Sequence, residues 1–201
     1  MRQLAVVSLV ALAAAVPAFA AQAPTLAAGA STVGSLNQIA LTGTAGSGKA
    51  GKTVFVEAKD CNASFFRVVA ATTTAAGGSW SVTAPIGITS TFRVRSGRAY
   101  SNTVLVRKRV TVSLAKRPNS RVFVASAHSG WQLKDRPIRL ERYTASGWVL
   151  VAQKKLQQNA VWGETYATFR IRRKGLRLRA FVPLSSARPC FVAGASSITD
   201  S

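Results

Sequence analysis

The sequence predicts an all-β chain organised as two tandem sandwiches, and three observations lead there. Short runs of β-branched and aromatic residues recur at about ten-residue spacing with turn residues between them, the pattern of sandwiches and barrels. Beyond the N-terminus no stretch carries apolar residues at helical spacing. The chain is also written twice. VFVEAK (54–59), FFRVVA (65–70), GGSW (77–80), TFRVRSG (91–97) and NTVLVRK (102–108) are answered by IRLERY (138–143), GWVLVA (147–152), VWGETYATF (161–169), LRLRAFV (176–182) and CFVAGAS (190–196). Fourteen residues separate Phe66 from Trp80, and fourteen separate Trp148 from Trp162.

In chain order, Arg2, an apolar run from Leu4 to Val16 and the small-x-small triplet Ala18-Phe19-Ala20 predict a cleaved signal peptide over residues 1–20. The run is shorter than the roughly 20 residues a membrane-spanning helix needs. The first unit is then expected over 21–107 and the second over 108–201. At this length each unit holds about seven strands, the size of an immunoglobulin-like sandwich in which two sheets bury alternate residues. Phe66, Trp80, Trp148 and Trp162 are expected in the interiors, where each large side chain contributes about 2 to 3 kcal/mol. Trp131, outside the matched pairs, is the aromatic expected to be exposed.

Residues 46–53, GSGKAGKT, satisfy the phosphate-loop pattern G-x-x-x-x-G-K-[ST]. A working phosphate loop needs a helix after its lysine, because helix N-terminal amides and dipole hold the phosphates. Here Val54-Phe55-Val56-Glu57-Ala58-Lys59 follows, which alternates as a strand. The loop is therefore expected to be a flexible hairpin connection and not a nucleotide site.

The run VFVEAKDCNASFFRVVAATTTAAGGSWSV with TFRVRSG, and in the second half IRLERYTASGWVLVAQKKL with LRLRAFVPLSSARPCFVAGAS, resembles the repeats of exported bacterial immunoglobulin-like domain proteins, especially those of high-GC actinobacteria. The resemblance implies the fold and an export route; its motifs are strand, turn and core positions, and it brings no catalytic residue. Two cysteines in an exported chain favour a disulfide between Cys61 and Cys190, with free or intermolecular thiols as the alternative.

The chain has 27 Lys and Arg against 6 Asp and Glu, a formal +21. Residues 21–107 hold 8 basic and 2 acidic residues, whereas 108–201 hold 18 and 4. A field of that sign gathers anions. Its densest stretch, FRIRRKGLRLRAF (169–181), reads as an amphipathic hairpin: Phe169, Ile171, Leu176 and Leu178 face one way, Arg170, Arg172, Arg177 and Arg179 the other, with Arg173-Lys174-Gly175 as the turn. Arg170, Arg172, Arg173, Lys174, Arg177 and Arg179 are the candidate anion-binding residues, and Arg139, Arg142, Lys154 and Lys155 are candidates to extend the patch. The expected partner is an anionic envelope polymer, an acidic glycan or a protein. Nucleic acid ranks lower, because no nucleic-acid-reading motif is present.

Catalysis has little to stand on. His128 is the single histidine, with Asp135 the nearest acid in sequence, and no G-x-S-x-G elbow exists. The six acids are scattered, whereas a glycosidase needs two facing one cleft. Glu57 and Glu141 stand at matching places in the two units, which predicts structural ion pairs with neighbouring arginines. No ordinary zinc spacing exists, and no cofactor is expected. The sequence thus points to a non-enzymatic exported binding or structural module at the cell envelope. The alternatives are a wall-glycan hydrolase with an unrecognised site and a secreted nucleic-acid binder.

Overall fold

A computed structural model describes residues 22–128, 133–158 and 164–201. The expected signal peptide and the side chains of Trp131 and Trp162 lie outside the described residues. Among those residues no helix is long and apolar enough to cross a membrane.

Nine strands build the first sandwich: β1 (Ala27–Ala28), β2 (Thr32–Val33), β3 (Gln38–Thr44), β4 (Thr53–Asp60), β5 (Arg67–Thr73), β6 (Ser79–Pro85), β7 (Ser90–Ser96), β8 (Ala99–Tyr100) and β9 (Val104–Lys108). One sheet runs β1-β3-β6 and the other β2-β9-β7-β4-β5, with β8 on β7. Among the described residues the second sandwich comprises β10 (Thr111–Lys116), β11 (Val122–His128), β12 (Pro137–Thr144), β13 (Gly147–Lys155), β14 (Gln157–Gln158), β15 (Glu164–Arg170), β16 (Arg177–Val182), β17 (Gly194–Ala195) and β18 (Thr199–Asp200), with a helical turn, α1 (Leu184–Ala187), after β16. Its sheets run β10-β11-β15-β14 and β13-β12-β16-β17, with β18 also on β16. In both, setting aside the short β2, β8, β14 and β18, the first, second and fifth strands make one sheet and the third, fourth, sixth and seventh make the other. This is an immunoglobulin-like sandwich in which the fourth strand pairs with the third instead of joining the sheet of the first, second and fifth.

Alternation sets what is inside. Along β15 Thr165, Ala167 and Phe169 are buried between more exposed neighbours, and along β16 Leu178, Ala180 and Val182 do the same from the opposite sheet. Two separate apolar clusters result, one including Leu41, Val54, Val56, Trp80, Phe92 and Val94, the other Phe123, Ile138, Leu140, Phe169 and Leu178. Trp80 fits because its cross-strand neighbour is Gly43: a Cβ there would lie 2.7 Å from the indole and against the Thr25 carbonyl.

Three expectations need correction. GSGKAG is not a hairpin, since β3 and β4 lie in different sheets. It is a crossover, and it is pinned: Gly51 N–H donates to the Thr74 carbonyl, Lys52 N–H to Thr74 Oγ1, and Thr74 Oγ1 to the Lys49 carbonyl. Those amides are already used, and a strand follows them, so the phosphate-loop match is coincidental. The stretch 169–181 is likewise not a hairpin. Its apolar positions do point inward, but β15 and β16 belong to opposite sheets and the residues between them cross the end of the sandwich. Third, Phe66 and Trp148 are half-buried on outer sheet faces; of the three expected aromatics among the described residues, only Trp80 is placed in a core.

The sandwiches meet closely. Cys61, just after β4, is bonded to Cys190 across 129 residues of sequence, with their Cα atoms 5.4 Å apart. Thr89 N–H donates to the Cys190 carbonyl at 3.1 Å, and Ile88 packs on the second core. Chain leaving β9 pairs directly with the second unit through a parallel bridge between Arg109 and Val192. Lys108, buried here, donates its Nζ protons to the carbonyls of Gly34 and Leu36 and to Asn37 Oδ1. Burial without a carboxylate pushes its pKa below the ordinary 10.5.

Candidate anion-binding site

Two populations of cations stand out, one held by carboxylates and one gathered without them. On the outer face of the first sandwich Glu57 accepts from Arg93 Nε at 2.7 Å and from Arg95 Nε at 3.1 Å. On the second, Glu141 accepts from Arg179 Nε at 2.9 Å and pairs with its guanidinium NH2 at 2.8 Å. Each glutamate directly follows an irregularity in strand register, between Val56 and Glu57 and between Leu140 and Glu141, and each lies opposite its arginine across the ladder. The expected structural ion pairs are therefore present, in duplicate. Aromatic rings cover the guanidinium groups: Phe66 lies 4.0 Å and Tyr100 4.2 Å from Arg93, and Trp148 lies 4.1 Å from Arg179. This cation–π stacking explains why Phe66 and Trp148 match in sequence while facing outward.

The second population stands at the free end of the second sandwich, away from the join. Lys116 ends β10, Arg121 closes the turn before β11, and Arg172, Arg173 and Lys174 follow Ile171 in the crossing between β15 and β16. Together they line a concavity of about 380 Å³ floored by Phe123 and Ile171. Both floor residues are buried. No acidic side chain lines this cup. None of its five cations makes an ion pair among the described residues.

Local sequence shapes the cup. In KRPNSR (116–121) Pro118 and Asn119 form a tight turn, Asn119 taking φ 51°, a left-handed conformation asparagine tolerates. Arg117 N–H donates to the Val122 carbonyl and Val122 N–H to Ser120 Oγ, both at 2.9 Å. The opposite wall is tied to this turn by Ile171 N–H donating to the Arg121 carbonyl, 2.9 Å. Its far end is held by Ser201, whose hydroxyl donates to the Arg173 carbonyl at 3.1 Å and accepts from Leu176 N–H at 2.8 Å.

Of the six sequence candidates the fold brings Arg172, Arg173 and Lys174 together. Arg170 lies on the outer face of β15, and Arg177 and Arg179 lie on the outer face of the other sheet, where Arg179 is committed to Glu141. Nor do Arg139 and Lys154 extend a common row: Arg139 donates to Gln153 at 3.4 Å, and Lys154 sits 5.9 Å from the Phe169 ring. Lys116 and Arg121 were missed. Their signal was a turn flanked by cations, legible as a wall only once β15 and β16 are known to sit on different sheets. His128 faces Glu164, at 3.7 Å, and not Asp135.

No protein-family model matches the chain, and no curated protein matches it. Among solved structures it is similar to the selenomethionine form of the chicken interferon gamma receptor alpha chain, at 11% identity and a TM-score of 0.44, over 90% of this chain and 98% of that one. At that identity and score no ligand or activity transfers. The expected kinship with exported actinobacterial proteins has no support among these matches.

Proposed function

We propose that this chain is a non-enzymatic, exported binding module that captures an anionic polymer of the cell envelope, such as an acidic glycan, through the cup at the free end of its second sandwich. One observation carries the reading: five cations converge on one concavity that no Asp or Glu side chain lines, while Glu57, Asp60, Glu141 and Glu164 pair with basic side chains elsewhere. Cations left unpaired in a concave site repel one another, and an incoming anion relieves that repulsion. Export is supported by the disulfide, which persists in oxidising compartments. The hydrolase alternative has less in its favour, because Glu57 and Glu141 sit on different sandwiches and each is clamped by arginine.

The test is retention on immobilised teichoic acid, heparin and DNA across a salt series. Substituting Glu for Arg172, Arg173 and Lys174 is expected to abolish retention on the preferred polymer at moderate salt and to flatten its salt dependence. Unchanged retention would make the cup a solvated surface. Preference for DNA would move the ligand to nucleic acid.

A further inference from the structure

We infer that the cup selects clustered tetrahedral oxyanions, phosphate or sulfate esters, over the spaced carboxylates of a uronic-acid polymer; this rests on the anion-binding reading above. The first reason is charge per volume. Five cations surround about 380 Å³, the small end of the roughly 300 to 1,000 Å³ range of ligand sites. Sugar rings bearing one carboxylate each would fill that space before matching the charge. Phosphate and sulfate groups are compact: two or three phosphate monoesters, at about −1.5 to −2 each, match that charge within the same space, and sulfate esters, at one charge each, match it when clustered on one scaffold.

The second reason is geometry. Three of the five cations are arginines, whose planar forks bind tetrahedral oxyanions through paired N–H donors, and they come from both walls, Arg121 on one and Arg172 and Arg173 on the other. The backbones that carry them are tied together by the Ile171 to Arg121 hydrogen bond and fixed at the far side by Ser201, so the ordering cost of binding falls on the side chains and little on the backbone. The third reason is the floor. Phe123 and Ile171 are buried apolar side chains beneath the charges, and low-dielectric walls strengthen a compact multivalent anion's interactions more than those of a diffuse one.

The experiment is calorimetric titration at low salt with inorganic tripolyphosphate, with sucrose octasulfate, and with butanetetracarboxylate as the carboxylate control, using the intact oxidised chain. Tripolyphosphate or octasulfate is expected to bind one to one and at least tenfold more tightly than the tetracarboxylate, and the better of the two identifies the ester. The Arg172→Ala, Arg173→Ala double variant, with an unchanged circular dichroism spectrum, is expected to lose that selectivity. Equal affinity for all three, or a selectivity indifferent to the double variant, overturns the inference. If polymer retention still depends on the cup in that case, the anion-binding function stands and only the oxyanion preference falls. Loss of both dependences removes both.

Discussion

The first and second sandwiches are copies of one frame whose ends have different fates. Turns at one end of the first are joined to the second sandwich, Cys61 by its bond to Cys190 and Ile88 by packing on the second core. The corresponding end of the second is open and carries Lys116, Arg121, Arg172, Arg173 and Lys174. On the sheet faces the copies stay alike, each with a register irregularity, a glutamate, its arginine and a stacked ring, although Glu57 holds two arginines and Glu141 one. Strand and pairing positions are bound by the frame, whereas an end free of neighbours can change charge without disturbing the core.

The largest expected effect concerns the joined end. Replacing both Cys61 and Cys190 with Ser opens a loop of 129 residues, which in the chain-entropy model removes about 5 kcal/mol of stability. Denaturant unfolding of the oxidised protein is expected as one transition and of the variant as two, the sandwiches melting apart; a single unshifted transition in both would mean that the join depends on other contacts.

Next come the duplicated ion pairs. Glu57→Gln leaves two guanidinium groups without their carboxylate and is expected to cost about 2 to 3 kcal/mol, while Glu141→Gln leaves one and costs about 1 to 2. Both arginines of the first pair are partly exposed, which keeps these figures below those for fully buried pairs. Matched unfolding curves for the two variants would show that Arg95 contributes nothing beyond Arg93.

The smallest effect lies at the join and depends on pH. Lys108 is held below its ordinary value by burial, so between its depressed folded pKa and 10.5 the unfolded chain binds more protons than the folded one. Stability from this group therefore rises with pH in that alkaline window. Lys108→Met is expected to cost about 1 to 2 kcal/mol at neutral pH, because three acceptors lose their donor. Wild type minus variant, followed by urea unfolding across the window, should show the rising slope; a flat difference would place the Lys108 titration elsewhere.

Much of this frame was legible in the sequence because alternation and duplication are local. Leu178 and Phe169 read as interior from period two alone, and Glu57 and Glu141 read as paired with arginine from their matching positions. Which strands share a sheet is not local. A run such as FRIRRKGLRLRAF has the alternation of a hairpin whether its halves pair or cross between sheets, and only the crossing separates Arg172 from Arg179 and sets it beside Arg121. Phe66 and Trp148 misled for a related reason: a large ring is stabilised equally well by a core or by an arginine lying over it, and the sequence does not state which.

The central claim is that unpaired positive charge gathers at the open end while Arg93, Arg95 and Arg179 on the sheet faces are already held by glutamate. Anomalous diffraction from crystals soaked at low ionic strength in tungstate, a tetrahedral oxyanion, tests it most directly. The expected result is tungstate density in the cup between Arg121 and Arg172. Density beside Arg93, Arg95 or Arg179, with the cup empty, would contradict it.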